Sequence, residues 1–366
     1  MGHRWVVVTV VVLTGLVVPL HAAEAACGWQ VVPSPNLSTR DHALLDVDAV
    51  SSTDVWAIGY YQQEIGQGPI QTLILHWDGV SWSVVPSPSP GTGNNILAGV
   101  TAVGPDDVWA VGRVQSDGPF KTLILHWDGE AWAQVPSPNV GTKANLLRDV
   151  DAVSGDDIWA VGDYFDKVIG RDRTLTMHWD GVSWTAVPSP NVQNEFGNEF
   201  NHLFSVSART GSDAWSVGWA GSTGTVPIIM HWDGSAWGLS AAPDIDLLGL
   251  EDVSVIAADD VWAVGGDDQR GMSFHWDGVS WTQIVGANDQ SDLVGVSGLD
   301  ARTVWAVGNE IHRWNGSRWR AVPGSDIGFG RQAVHAISRT DAWSVGATIQ
   351  GHNIRTYTEH MTCTFS

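Results

Sequence analysis

The sequence predicts an all-β protein: a seven-bladed β-propeller with four antiparallel strands per blade, its ring closed by the N-terminal strand joining the last blade. Three observations carry this prediction. A unit of about 50 residues recurs along the chain, each unit holds the same tryptophan-bearing motifs in the same order, and the chain opens with the motif its last unit lacks. Self-similarity at such a period marks an architecture whose units bury their apolar faces against one another.

The elements follow in order. Each unit begins with an alternating segment such as Leu44-Leu45-Asp46-Val47-Asp48-Ala49-Val50, the pattern of a half-buried strand. After a tight turn comes DVWAIG around Trp56, repeated around Trp109, Trp159, Trp215, Trp262, Trp305 and Trp343. A third strand such as TLILHW leads into His-Trp-Asp-Gly at His76, His126, His178, His231 and His275, with degenerate copies at His312 and His360. Asp-Gly between two apolar runs signals a hairpin, because both central residues need positive φ. The fourth strand lies in stretches such as WSVVPSP, with Trp82, Trp132, Trp184, Trp237, Trp281 and Trp319 at its head.

The seventh copy of that fourth strand stands at the other end of the chain. Cys27-Gly28-Trp29-Gln30-Val31-Val32-Pro33-Ser34-Pro35 matches it, and the last unit stops at its HWDG equivalent. Aligning His360 on His76 puts Cys363 at the place of Gly79; aligning Trp29 on Trp82 puts Cys27 at the place of Val80. Those places are neighbours in an intact hairpin. A Cys27–Cys363 disulfide is therefore expected where the turn is missing, closing a loop long enough for chain entropy to contribute up to roughly 6 kcal/mol.

Residues 1–25 read as a signal peptide. Arg4 precedes an apolar run from Val6 to Leu20, and Ala23-Glu24-Ala25 fits a small-x-small cleavage site. The run is short for a membrane span. Lipidation of Cys27 would want a leucine near position 24, where Glu24 stands. Residues 26–366 are then one propeller domain, secreted, monomeric and not inserted in a membrane; export also permits the disulfide.

Forty acidic against 18 basic side chains give a formal charge of −22, which argues against nucleic acid and strongly anionic polymers as partners. No GxSxG elbow, phosphate-binding loop or CxxC pair occurs, so no cofactor is expected and no catalytic residue can be picked. Of 22 tryptophans, 20 occupy repeated positions, where one per blade reads as packing between radial sheets. Trp5 falls in the leader, and Trp219 alone is off the repeat. The repeated histidines read as hydrogen-bonding groups within their blades; copies spread around a ring cannot converge on one ion, so no metal site is expected. Asp54, Asp107, Asp157, Asp213, Asp260 and Asp341, which open the second strands, are expected to cap the tight turn before them. Asp46, Asp48, Asp149, Asp151 and Asp252 on inner strands could hold a cation near the channel, though no alternating calcium loop is present.

The two faces of the ring differ. Connections between first and second strands, and between third and fourth, are short and repetitive, whereas the others vary and are longest on blades 1–4. Variable loops on a rigid scaffold are where binding resides. The candidate ligand-binding residues are Tyr60, Tyr61, Arg113, Asp163, Tyr164 and Trp219, with His42 and His202 at the channel mouth.

The succession DVWAVG, a TLILHWDG-like strand and WSVVPSP resembles the tryptophan-rich propeller repeats of secreted bacterial proteins, loosely similar to kelch and galactose-oxidase propellers. The resemblance covers essentially the whole mature chain and implies the fold, but no single activity. The thioether-linked cysteine and tyrosine of galactose oxidase have no counterpart here. The resulting expectation is a secreted propeller that recognises an extracellular ligand on its loop-rich face. A neutral glycan comes first, because off-repeat aromatics beside Arg113, Asp163 and Gln62 suit sugar faces and hydroxyls. The alternatives are an extracellular glycosidase or polysaccharide lyase using Asp163, Asp166, Glu310 or a His202–Tyr164 pair, and a protein–protein scaffold.

Overall fold

The computed structural model describes residues 26–63, 68–193, 200–221, 226–242, 249–267, 270–286, 292–324 and 330–364. Over these the chain forms seven four-stranded antiparallel sheets, each ordered from an inner to an outer strand. Blade 1 is typical, with strands His42–Ser51, Asp54–Gln62, Ile70–Trp77 and Trp82–Val84. Blade 7 takes Gly330–Ser338, Asp341–Gln350 and Asn353–Thr364 from the C-terminus, and its outer strand Ala26–Val31 from the N-terminus. The architecture is the expected seven-bladed propeller. Among the described residues no helix is long and apolar enough to cross a membrane. The leader, residues 1–25, lies outside the described residues.

Closure of the ring is covalent. Cys27 and Cys363 face each other across the outer pair of blade 7, Cα atoms 4.0 Å apart, and form a disulfide. In the other six blades an Asp-Gly or Asn-Gly turn occupies that end of the ladder, with glycine φ between +85° and +91°. The disulfide thus stands where the turn is absent, as the register argument expects.

Each apolar cluster fills a junction between blades. Trp56, Ile58 and Ile74 of blade 1 pack with Leu97, Val100, Leu123 and Trp132 of blade 2. Ala333, Trp343 and Val345 of blade 7 pack with Leu44, Leu75 and Trp82 of blade 1, which completes the circuit. Three tryptophans build a junction. Trp56, 2% exposed, stacks on its own blade's His76 (centroids 4.3 Å apart) and meets Trp127 and Trp132 of blade 2 at 5.2 and 5.5 Å. Tilted and edge-on contacts of this kind suit the ring quadrupole, and they explain why the motif asks for tryptophan at three places.

The repeated histidines do hydrogen-bond within their blades. Nε2 of His76, His126, His178, His231, His275 and His360 lies 2.7–2.9 Å from the aspartate that opens the second strand. These aspartates therefore serve the imidazole rather than the turn expected of them. Blade 6 departs from the pattern: Arg313, not His312, pairs in register with Trp305, and its guanidinium lies over that indole at 5.5 Å. His312 falls one place earlier, on the core position that Leu75 holds in blade 1.

Candidate functional site

The site originates in the glycine of each DVWAVG motif. A Cβ on Gly59, Gly112, Gly162 or Gly218 would run into the inner-strand carbonyl oxygen of Ala43, Ile96, Leu146 or His202, and Gly265, Gly308 and Gly346 are as tightly placed. At this close approach the inner strand slips by one residue in every blade, for example from Leu44 to Asp46 and from Leu147 to Asp149. Such a bulge leaves the skipped residue unpaired and re-aims its side chain. The skipped residues are Leu45, Ala98, Arg148, Phe204, Glu251, Val294 and Gln332; all seven line one pit of about 90 Å³ in the channel mouth.

A charged cluster grows outward from Arg148. Its Nε donates to Asp163 Oδ1 at 2.8 Å, and its guanidinium lies 4.5 Å from the Phe204 ring centroid. Asp163 is 2% exposed, and His202 Nδ1 approaches the same oxygen at 3.1 Å, off the line of a hydrogen bond. Burial alone would raise the Asp163 carboxyl, but His202 and Arg148 hold it below its ordinary range. Asp172 Oδ2 lies 3.9 Å from His202 Nε2, and burial and the Asp163 charge push its carboxyl up. The His202 ring packs on Trp219 at 4.6 Å, and Trp219 stacks on Phe204 at 6.3 Å. Burial and Asp292 raise the Glu251 carboxyl, against the pull of Arg148. Arg113 lies over Phe120 at 5.6 Å, within electrostatic reach of Tyr60 and Arg148.

The structure therefore brings together Tyr60, Arg113, Asp163, His202 and Trp219, and adds Arg148, Phe204, Asp172 and Glu251. Three candidates lie elsewhere. His42 is fully buried; its Nε2 accepts from the Leu37 and Ser38 amides and its Nδ1 donates to the Arg40 carbonyl, so it pins the loop before its strand rather than opening on the mouth. Asn95 and Asn145 do the same work in blades 2 and 3. Tyr61 stacks on His42 at 5.8 Å, and Tyr164 packs into the core between blades 2 and 3.

The inner-strand aspartates are staples, and among the described residues no three possible ligands gather to hold a cation. Asp46 accepts the Val47 amide on Oδ1 and the Val100 amide of the next blade on Oδ2. Asp48, Asp149, Asp151 and Asp252 are engaged likewise, with Oδ2 reaching Ala102, Val206, Ala208 and Val296 at 2.6–2.8 Å. The acids proposed for glycoside chemistry do not pair up. Asp163 is bound by Arg148, Asp166 caps the turn over Val168 and Ile169, and Glu310 stands on blade 6 beside a separate cavity of about 390 Å³.

Arg148, Phe204 and Glu251 carried a signal that the candidate list omits. At one inner-strand position the units read Leu, Ala, Arg, Phe, Glu, Val and Gln, between a nearly constant leucine and a small or acidic residue. A place where repeats of one unit disagree this widely is released from packing.

No family model matches the chain, and no curated protein matches it. Solved structures do. YCF48 from Cyanidioschyzon merolae matches at 15% identity over 91% of this chain and 98% of its own, TM-score 0.60. A structure described as YCF48 bound to D1 peptide matches at 13%, over 92% and 97%, TM-score 0.54. U3-55K matches at 11%, over 92% and 98%, TM-score 0.59. At such identities the likeness shows the fold alone.

Proposed function

We propose that the protein is a secreted binding module that recognises a segment of a partner protein at its channel mouth, over blades 1–4. The observation that carries this reading is how the off-repeat aromatics are spent. Trp219 packs on His202 and Phe204, Tyr61 on His42, and Tyr164 against the core, so three of the four off-repeat rings already have partners and only Tyr60 is left to offer a sugar a free face. What remains at the mouth is charge around a pit of about 90 Å³, room for one side chain. Seven unlike residues line that pit, so it reads its ligand with dissimilar groups, as peptide recognition requires. The YCF48 structure described with a bound peptide supports the same use of the fold, and the leader and the disulfide support secretion.

The test is an array of random peptides beside a panel of neutral and acidic polysaccharides, probed with wild type, Arg148→Ala and Trp219→Ala, with release of small sugars scored throughout. Peptide retention that Arg148→Ala abolishes is the expected result. Retention on polysaccharides alone, unaffected by Arg148→Ala, would sink the reading, and sugar release would turn the search to an enzyme. A neutral glycan is the second reading, favoured by two equivalent clefts of about 300 and 380 Å³ between blades 4 and 5 and blades 5 and 6. The first is walled by Trp215, Trp237, Trp276 and His231, the second by Trp262, Trp314 and His275.

A further inference from the structure

Arg113 is the anomaly of the mouth. It is half-buried near the end of the second strand of blade 2, and among the described residues it donates no hydrogen bond and forms no ion pair; its guanidinium lies over the Phe120 ring. Arg148, Arg209 and Arg331 each hold a carboxylate within 2.7–2.8 Å. In a chain with 40 acidic against 18 basic side chains, an arginine this withdrawn still forms no ion pair among the described residues; Asp163 acts on it only through space. Five N–H donors are fixed in its planar fork, and all are open.

Arg148 faces the same space with donors to spare. Only its Nε is committed, to Asp163; its two terminal amino groups make no hydrogen bond among the described residues, and the residue lines the pit. Phe120 and Phe204 support the two guanidiniums on their flat faces, a cation–π arrangement that leaves the donor edges free. The two cations repel, and Asp163 offsets that only in part: its charge favours Arg113 through space, but its Oδ1 is hydrogen-bonded by Arg148 and approached by His202, so one carboxylate serves two guanidiniums. A planar anion with two acceptor oxygens answers both the open edges and the repulsion.

We propose that Arg113 and Arg148 together hold a carboxylate of the bound segment, presented either by its C-terminus or by an aspartate or glutamate side chain; this rests on the peptide reading above. One group at a focused site does not conflict with the overall charge of −22, which repels anionic polymers rather than a single carboxylate within a complementary segment.

Three pools of random hexapeptides test it on the immobilised mature protein: free C-termini without Asp or Glu, amidated termini with Asp and Glu, and amidated termini without either. Wild type should retain the first or the second pool at least about tenfold over the third, the difference expected of a charge-assisted pair. Whichever pool is retained identifies the source of the carboxylate. Arg113→Gln should erase that preference with little change in melting temperature, since the lost Phe120 and Asp163 attractions are offset by relief of the Arg148 repulsion and no hydrogen bond is removed. Arg113→Lys, which keeps the charge but loses the fork, should recover only part of it. Equal retention of all three pools, unchanged by Arg113→Gln, would overturn the carboxylate site and leave peptide binding standing. Retention of no pool by wild type would overturn both.

Discussion

Two rings of side chains line the channel one residue apart, and they obey different constraints. In the bulge ring, Leu45, Ala98, Arg148, Phe204, Glu251, Val294 and Gln332 share neither size nor charge. The next residue along is Asp46, Asp149 or Asp252 in three blades, and each spends both carboxylate oxygens on backbone amides of its own and the next blade. Ser205 joins the same ring by bonding to Asp252 and to the Val253 amide. The difference is one of hydrogen-bond accounting. A residue skipped by the ladder owes nothing to its neighbours and can be given to a ligand, whereas the next one stitches blade to blade and cannot.

The largest effect expected lies outside both rings, at the seam that keeps them circular. Cys27 and Cys363 are 336 residues apart, and removing a cross-link over so long a loop costs up to about 6 kcal/mol in the chain-entropy account. Cys27→Ser should lower the melting temperature more than any other single change named here, and a loss within about 1 kcal/mol would show that the outer strand of blade 7 holds by its ladder alone. The adjacent pair Glu251 and Asp252 then tests the two rings directly. Asp252→Ala strands the Val296 amide and leaves the Val253 amide only its longer bond to Ser205 Oγ, and should cost about 3 kcal/mol by denaturant unfolding. Glu251→Gln should stay within about 0.5 kcal/mol and change ligand retention instead. Equal losses of stability at the two positions would erase the distinction.

Acidity sharpens the same contrast. Burial pushes Asp151 and Asp252 up to about 7 and raises Asp46 and Asp149 as well, against the pull of their amide bonds. A carboxyl raised in the folded state takes up a proton on folding. Its contribution is therefore greatest below the unfolded value of 3.8 and is lost as pH rises through the folded value. His335, whose Nδ1 lies 2.7 Å from Asp48 Oδ1, acts in the same direction: burial opposes its charge, but Asp48, Asp151 and Asp341 together outweigh burial and raise it above 6.5, so its stabilisation also fades as pH rises. The melting temperature should fall by roughly 5 °C between pH 5 and pH 8. Asp252→Asn should flatten that slope, and a wild-type profile flat across this window would mean that the staples are ionised throughout.

The fold was legible because its cause is local and repeated: Trp56, His76, Asp78-Gly79 and Trp82 each fix one strand or turn, and the unit recurs around the ring. Closure was legible because Trp29 and His360 carry register, so two residues 336 apart could be placed on neighbouring turn positions. The candidate site was legible only in part. Arg113, Asp163, His202 and Trp219 stand at strand ends, where an off-repeat residue is conspicuous. Arg148 and Glu251 sit inside what reads as a regular alternating strand, and the bulge that turns them inward follows from the close approach of Gly162 and Gly265, a three-dimensional fact. His42 misled for the converse reason. It looks exceptional beside Asn95 and Asn145, yet an imidazole and an amide can satisfy the same loop amides.

The one stabilising effect expected comes from a repeated position where blade 6 breaks the rule. His312 pairs with Ala306 as Leu75 pairs with Ala57, so it stands where the core wants an aliphatic side chain. It is 2% exposed, neither ring nitrogen makes a hydrogen bond among the described residues, and Glu310 Oε2 is 3.6 Å from Nε2. Burial lowers its pKa, which keeps the ring neutral, so the cost is that of two unmet polar atoms rather than a buried charge. His312→Leu should stabilise the protein by about 1 kcal/mol, read from the denaturant midpoint at constant m. A loss of stability instead would mean that the imidazole is held by a group the junction supplies only in solution. The constant positions of the repeat would then tolerate polar function as readily as the bulge ring does.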